Sequence, residues 1–249
     1  MSTPRPLQDD RRRSQWTRPG FVAAGGFLSV VVLLFAVVLV AGMDGEDSAG
    51  PASPSGAPGS RPDDKGAENG ENGCPEPAES SEVPTEPPPA TWELYRTVAL
   101  PVSKEAGPAV VDGDLARCYA RSPTGAVMAA AQIGHRVALA EDWRAVVDEQ
   151  TYGNAKGAMV TAREKAAESA SPPAPQPGEL GQIAGFDVIT YTGDMAVIQL
   201  VTRFTGGTLQ VSTSTLRWTE GDWRYEISDT GAPQKTLTTL DGYTEWGGV

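Results

Sequence analysis

The sequence predicts an α+β domain: three helices followed by a bent four-stranded antiparallel meander, preceded by one transmembrane helix and a disordered linker. Three observations lead there. Residues 21–42 form an uncharged apolar run long enough to cross a bilayer. Residues 43–91 are acidic and rich in Pro and Gly, a composition that cannot build a core. From residue 122 onward the apolar spacing first follows a helical period and then, past residue 181, alternates as in strands.

The apolar run from Phe21 to Gly42 reads FVAAGGFLSVVVLLFAVVLVAG, and Ser29 is its only polar side chain. Only a helix satisfies its own backbone in hydrocarbon. Residues 1–20 form a basic tail with Arg5, Arg11, Arg12, Arg13 and Arg18, whereas the far flank opens with Asp44, Glu46 and Asp47. The positive-inside rule places that tail in the cytoplasm and everything after the helix outside. A cleaved signal peptide is the competing reading, with Ala41-Gly42 before Met43 as its cleavage region, but the run exceeds the usual signal core. The expected location is therefore the cell membrane, single-pass, with residues 92–249 as an extracytoplasmic domain.

The 249 residues carry a net charge of −12, which argues against a general nucleic-acid binder. Most of that charge lies in residues 44–90, which hold 11 acidic and two basic residues and 10 of the 21 prolines. Val83 is the only large aliphatic residue there. A flexible chain of this length spans roughly 40 Å, and proline and self-repulsion extend it. The stretch reads as a spacer between membrane and domain.

Order is expected from Trp92. WELYRTVALPVS reads as an extended arm docked on the domain, and Ala109–Val111 as a second extended piece ended by the turn Asp112-Gly113. Ser122-Pro123 is a helix start, with Ser as the cap and Pro in the first turn. The helix runs from Thr124 to Leu139. A second, Glu141 to Gln150, places Trp143, Val146, Val147 and Gln150 on one face, and a third covers Ala155 to Ser169. Four strands follow, Gln182–Thr192, Met195–Thr205, Thr208–Thr219 and Trp223–Ser228, joined by Gly193-Asp194, Gly206-Gly207 and Gly221-Asp222. Turns this short make antiparallel hairpins. In the third strand Leu209 and Val211 fall on the opposite parity from Leu216 and Trp218, which predicts a bulge or bend near Thr213–Thr215. The tail from Leu237 carries Leu240, Tyr243 and Trp246 and is expected to pack back on the domain.

Candidate functional residues are few, and no catalytic, cofactor-binding or metal constellation emerges. His135 is the only histidine, and helical spacing sets it with Met128, Ala131 and Ala138, a satisfied and half-buried position. Asp187 follows Phe186 in the first strand; alternation puts it opposite a face of Ala184, Phe186 and Val188, hence outward, but a carboxylate there would serve as a base if a pocket formed. Cys74 and Cys118 are the only cysteines and a candidate disulfide; a bond between neighbouring molecules and two free thiols are the alternatives. Trp92, Tyr95, Tyr243 and Trp246 flank the domain as core extensions or as anchors of a protein interface. Gly206-Gly207 has no helix start or Lys after it and is a hairpin turn, not a phosphate loop. Arg203, Arg217 and Arg224 lie on adjacent strands as a solvated face.

Helices followed by a long bent meander resemble the nuclear-transport-factor-2-like cone fold. A single membrane helix ahead of such a domain is similar to the bitopic scaffold subunits of type IV secretion and conjugation machines. The stretches WELYRTVALPVS, ARCYARSPTGAVMAAAQI, GQIAGFDVITYT, MAVIQLVTRF, LRWTEGDWRYEI and DGYTEWGGV resemble an actinobacterial family of membrane-anchored proteins of unknown function, whose members tend to be encoded near conjugation-type genes. The 15 Arg against five Lys fit a GC-rich genome. The resemblance covers residues 92–249 and carries no active site. It implies a place of work: a non-catalytic scaffold or assembly component of an envelope machine, with the membrane and other envelope proteins, or copies of itself, as partners. A small-ligand binder or cone-fold enzyme outside the membrane is the alternative, and an accessory cell-envelope protein a third. A deep pocket holding a carboxylate of shifted pKa would separate the second from the others.

Overall fold

The computed structural model describes residues 73–75, 78–169, 179–229, 231 and 233–248. The basic tail, the apolar run 21–42 and most of the linker lie outside the described residues. Among the described residues no helix is long and apolar enough to cross a membrane.

The chain begins with two small hairpins. Strands β1 (Thr91–Tyr95) and β2 (Val98–Val102) pair antiparallel, turning at Arg96, whose φ of 57° is left-handed. The expected arm is thus a hairpin. Strands β3 (Val110–Asp112) and β4 (Leu115–Arg117) form the second, closed by Gly113. Helix α1 (Pro123–Leu139) starts as the sequence predicts: the Ser122 hydroxyl accepts from Gly125 N at 3.0 Å, with Pro123 in the first turn. Helix α2 (Trp143–Gln150) is capped by Asp142, which accepts from Ala145 N. A two-residue strand β5 (Thr151–Tyr152) and helix α3 (Lys156–Ser169) complete the helical part.

The meander follows as β6 (Gln182–Tyr191), β7 (Met195–Arg203), β8 (Leu209–Thr219) and β9 (Asp222–Glu226), each pairing antiparallel with the next. Two further strands, β10 (Gln234–Leu237) and β11 (Thr244–Glu245), add to it. The result is a mixed seven-stranded sheet in the order β11-β6-β7-β8-β9-β5, with β10 on β8 and β5 parallel to β9. The expected four strands are its centre. The three added ones are two to four residues long and carry no alternation of their own; backbone pairing enrols them, with Leu237 of β10 also packed on the sheet.

Helix α1 is the centre of the domain. Ala126 to Ala131 and Ile133 are all at most 1 % exposed, so the helix is apolar nearly all round and needs cover on every side. The sheet supplies Phe186, Ile198, Leu216 and Trp223 from one side; Val98, Leu100, Ala116 and Tyr119 come from the hairpin segments. Alanines let these layers approach closely. Gly125 and Gly134 extend the same logic: a Cβ on Gly125 would meet the Ala120 carbonyl at 2.0 Å, and one on Gly134 the Tyr225 ring at 3.3 Å.

The parity switch in β8 has a different cause from the one expected. No bulge occurs near Thr213–Thr215: the pairing with β7 runs unbroken from Met195↔Arg217 to Arg203↔Leu209. Instead both faces of the sheet are covered, at different ends. Leu216 faces α1, whereas Leu209 and Val211 join Ala184 and Val201 in a second cluster on the far face, under Leu237, Leu240 and Tyr243. The register shifts fall in β6, between Ile183 and Gly185 and between Val188 and Thr190. The first moves Ala184 onto the far face, away from Phe186, so these two residues do not share the face that simple alternation gives them. Gly185 admits the tail, since a Cβ there would sit 2.9 Å from Thr244 O.

Three features fasten the start of the domain. Cys74 and Cys118 form a disulfide, 44 residues apart in sequence. Residues 78–90, part of the stretch read as linker, run over the surface from an ion pair of Glu79 with Arg121 to a hydrogen bond from Trp246 Nε1 to Pro88 O. Next to Cys118, the buried Asp222 carboxylate accepts from Cys118 N (2.7 Å), Tyr119 N (3.1 Å) and Trp223 N (2.9 Å), while Trp223 Nε1 donates to Ala120 O. The turn preceding it is Glu220-Gly221, with φ of 54° and 76°, so Asp222 opens β9 and is not a turn residue as read from sequence.

Closing a loop of this length is worth about 4 kcal/mol in the chain-entropy view. Reduction, or the double change Cys74→Ala with Cys118→Ala, is expected to cost about 2–4 kcal/mol, read as a drop in urea midpoint with a slope that rises as the unfolded chain expands. Burial raises the Asp222 pKa above the ordinary 3.8, against the opposing pull of its three N–H donors and Arg224. The folded state therefore holds this proton more tightly than the unfolded chain. The contribution is full below pH 3.8 and is lost as pH rises through the folded value. Asp222→Asn removes this pH dependence and costs about 1–3 kcal/mol at neutral pH, because an amide cannot accept all three bonds; urea titrations of both proteins across pH 4–8 measure both effects.

Candidate functional site

His135 lies in α1, half-buried, with Nδ1 2.7 Å from Ala131 O. Burial lowers its pKa, so the ring is neutral and Nδ1–H donates to that carbonyl. This is the satisfied helical histidine that its spacing predicts. Asp187 pairs in register with Gln199, on the face away from α1, half-exposed and without a hydrogen bond or ion pair among the described residues. The sheet therefore separates His135 and Asp187, and no acid–base pair forms from them. Among the described residues no group of three or more His, Cys, Asp or Glu is placed to hold a metal ion.

The four flanking aromatics go to three places. Trp246 is 5 % exposed, edge-on to Phe186 at 5.4 Å and to Trp92 at 4.9 Å. Both tryptophans thus extend the core and tie the first hairpin to the tail. Tyr243 packs on the second cluster, and its OH donates to Gln199 Oε1 at 2.9 Å. Tyr95 lies 4.3 Å from the Arg136 guanidinium, and its OH donates to Asp114 Oδ1. Burial, and then the bond to Asp114, pushes its pKa up to about 12. For Asp114, burial works against ionisation, but the Tyr95 OH, the Asp142 N–H and Arg96 outweigh it and lower the pKa. Arg136 also donates to Gln132 Oε1 and Gly113 O, and Gln132 to Pro101 O. Tyr95 is therefore the outer end of a polar lattice joining β1, β2, the β3–β4 turn, α1 and α2.

The three strand arginines do not gather. Arg217 and Arg224 oppose each other in register, with Arg217 over the Tyr152 ring and Arg224 paired to Glu220. Arg203 is at the other end of β7, roughly 26 Å away at strand rise. Gly206 and Gly207, with φ of 92° and 85°, close the β7–β8 hairpin as expected.

Three polar side chains, the buried Asp222 and Gln150 and the half-buried Arg163, have roles that sequence reasoning did not assign, although it set Gln150 on the apolar face of its helix. Gln150 exchanges hydrogen bonds with both backbone groups of Ala116. Arg163 of α3 donates to Val137 O and Ala138 O, the free carbonyls at the end of α1, and stacks at 4.4 Å on Trp143. It is the C-terminal cap that α1 lacks in its own sequence.

Concavity is found on the far face. The tail crosses it as an arch: β10 pairs with β8 up to Leu237↔Leu209, β11 pairs with β6 from Thr244↔Phe186, and residues 238–243 pass over the end of β7 between them. Between arch and β7–β8 hairpin lies an open hollow of about 610 Å³, lined by Arg203, Leu209, Thr239, Asp241, Tyr243 and Glu245 among others. A smaller one of about 190 Å³, with Leu180, Ile183, Ala184 and Phe204 in its wall, shares Arg203.

No curated protein and no solved structure matches the chain. A family profile described as a domain of unknown function (DUF8175) matches residues 50–245. That stretch includes the disulfide, both hairpins, the sheet and most of the tail, so the segment carrying Cys74 is part of the family's unit. The chain belongs to this family of unknown function, DUF8175.

Proposed function

We propose that the chain is a non-catalytic assembly component of an envelope machine of the conjugation or secretion type, anchored by residues 21–42 with its α+β domain outside the membrane. The observation that carries the non-catalytic part is how the space between helix and sheet is used. A ligand site needs a concave pocket with convergent polar groups. Here Met128 and Ile133 of α1 and Phe186, Ile198 and Leu216 of the sheet occupy that space, each at most 1 % exposed. The neutral His135 and the far-face Asp187 give no acid–base pair. The disulfide fits an oxidising compartment, and the arginine flank ahead of residue 21 fits a cytoplasmic start. Partners of this reading are other envelope proteins or further copies of the chain; the net charge of −12 disfavours nucleic acid.

Co-purification of the full chain from mildly solubilised membranes checks the proposal. A machine ATPase or channel subunit is expected with the intact protein and absent when residues 73–249 are deleted. A monomer recovered without companions overturns it.

A further inference from the structure

The hollow beneath the arch carries charges of both signs that do not neutralise each other. Arg203, Asp241 and Glu245 line it, yet among the described residues Arg203 and Glu245 make no ion pair, and Asp241 accepts only the Thr239 hydroxyl, at 2.8 Å. The frame holds them apart. The arch is fixed at both ends by strand pairing and in its middle by Leu240 on the second cluster, the Tyr243 N–H to Leu240 O turn and the Tyr243 hydroxyl on Gln199. The opposite wall is a closed hairpin, with Phe204 N donating to Thr208 O and Gly207 N to Phe204 O, each at 2.9 Å. Walls fixed in this way leave little ordering cost for a ligand.

We propose that this hollow binds the free end of a short peptide whose last side chain is apolar. The planar Arg203 guanidinium suits a terminal carboxylate. Beside it, the smaller hollow with Leu180, Ile183 and Phe204 in its wall has room for one aliphatic side chain. Asp241 and Glu245 on the far side of the larger hollow suit an ammonium group, so a di- or tripeptide with both ends free matches the charge order and the apolar pocket together. This site is independent of the helix–sheet core and of the assembly role proposed above.

Calorimetric titration of the full-length protein in mild detergent and low salt, with alanyl-leucine as the probe, tests it. Saturable millimolar binding is expected, weakened about tenfold or more by Arg203→Ala. Arg203 is exposed and holds no ion-pair partner among the described residues, so that variant should keep its thermal midpoint, which is measured alongside. N-acetyl-alanyl-leucine amide, which lacks both charges, is expected not to bind, and Glu245→Gln to weaken alanyl-leucine but not its N-acetyl form. Absence of saturation up to about 50 mM, equal binding of the doubly capped peptide, or an unchanged affinity in Arg203→Ala would each overturn the proposal.

Discussion

Burying α1 on every side is the constraint from which the rest of the architecture follows. A helix whose apolar residues circle its axis cannot rest on a sheet and leave its back to water. The bent meander covers one side, and the segment from Val98 to Tyr119 covers the other. That segment has too few residues for a core of its own; it lends Val98, Leu100, Ala116 and Tyr119 to the common core and is also held by directed polar contacts: Asp222 on the Cys118 and Tyr119 amides, Gln150 on Ala116, and Gln182 on Thr97 and Ala99. Long-range hydrogen bonds here add to the apolar burial that the segment shares with the sheet half.

Much of this order was readable along the chain. Ser122-Pro123 marks the start of α1 to the residue because cap and first-turn proline act locally. The hairpin turns, the four long strands and the three helices likewise follow from local spacing. What alternation could not give was the second covered face. An apolar residue on the wrong parity looks the same whether a strand bulges or a distant tail covers it, and Leu209 and Val211 have the second cause. Strands β5, β10 and β11 were illegible for a related reason, being defined by backbone partners and not by side-chain pattern.

The polar side chains divide in the same way. His135 and the aromatics stood out by type, and the structure gives His135, Trp92, Tyr95 and Trp246 packing or bonding roles. Asp222 was masked by its neighbour: Gly-Asp is common turn chemistry, and nothing local distinguishes a carboxylate that reaches back more than 100 residues to bind Cys118. Arg163 was equally hidden, since an arginine on an exposed-looking helix gives no sign that it caps another helix. The arch over β7 belongs with these, because it is assembled from two pairings that the tail's own residues do not announce.

The Cys74–Cys118 bond also sets where a mechanical load enters. A pull on the chain ahead of Cys74 passes through sulfur to residue 118 and from there, through Asp222, into the central sheet. The surface segment 78–90 and the first hairpin stay outside that path. The 43 residues between the two cysteines, which lie 44 apart in sequence and span roughly 150 Å as extended chain, are withheld from extension under such a pull. With the bond intact such a pull reaches the domain at its core, and with the bond open it would peel the domain from its edge.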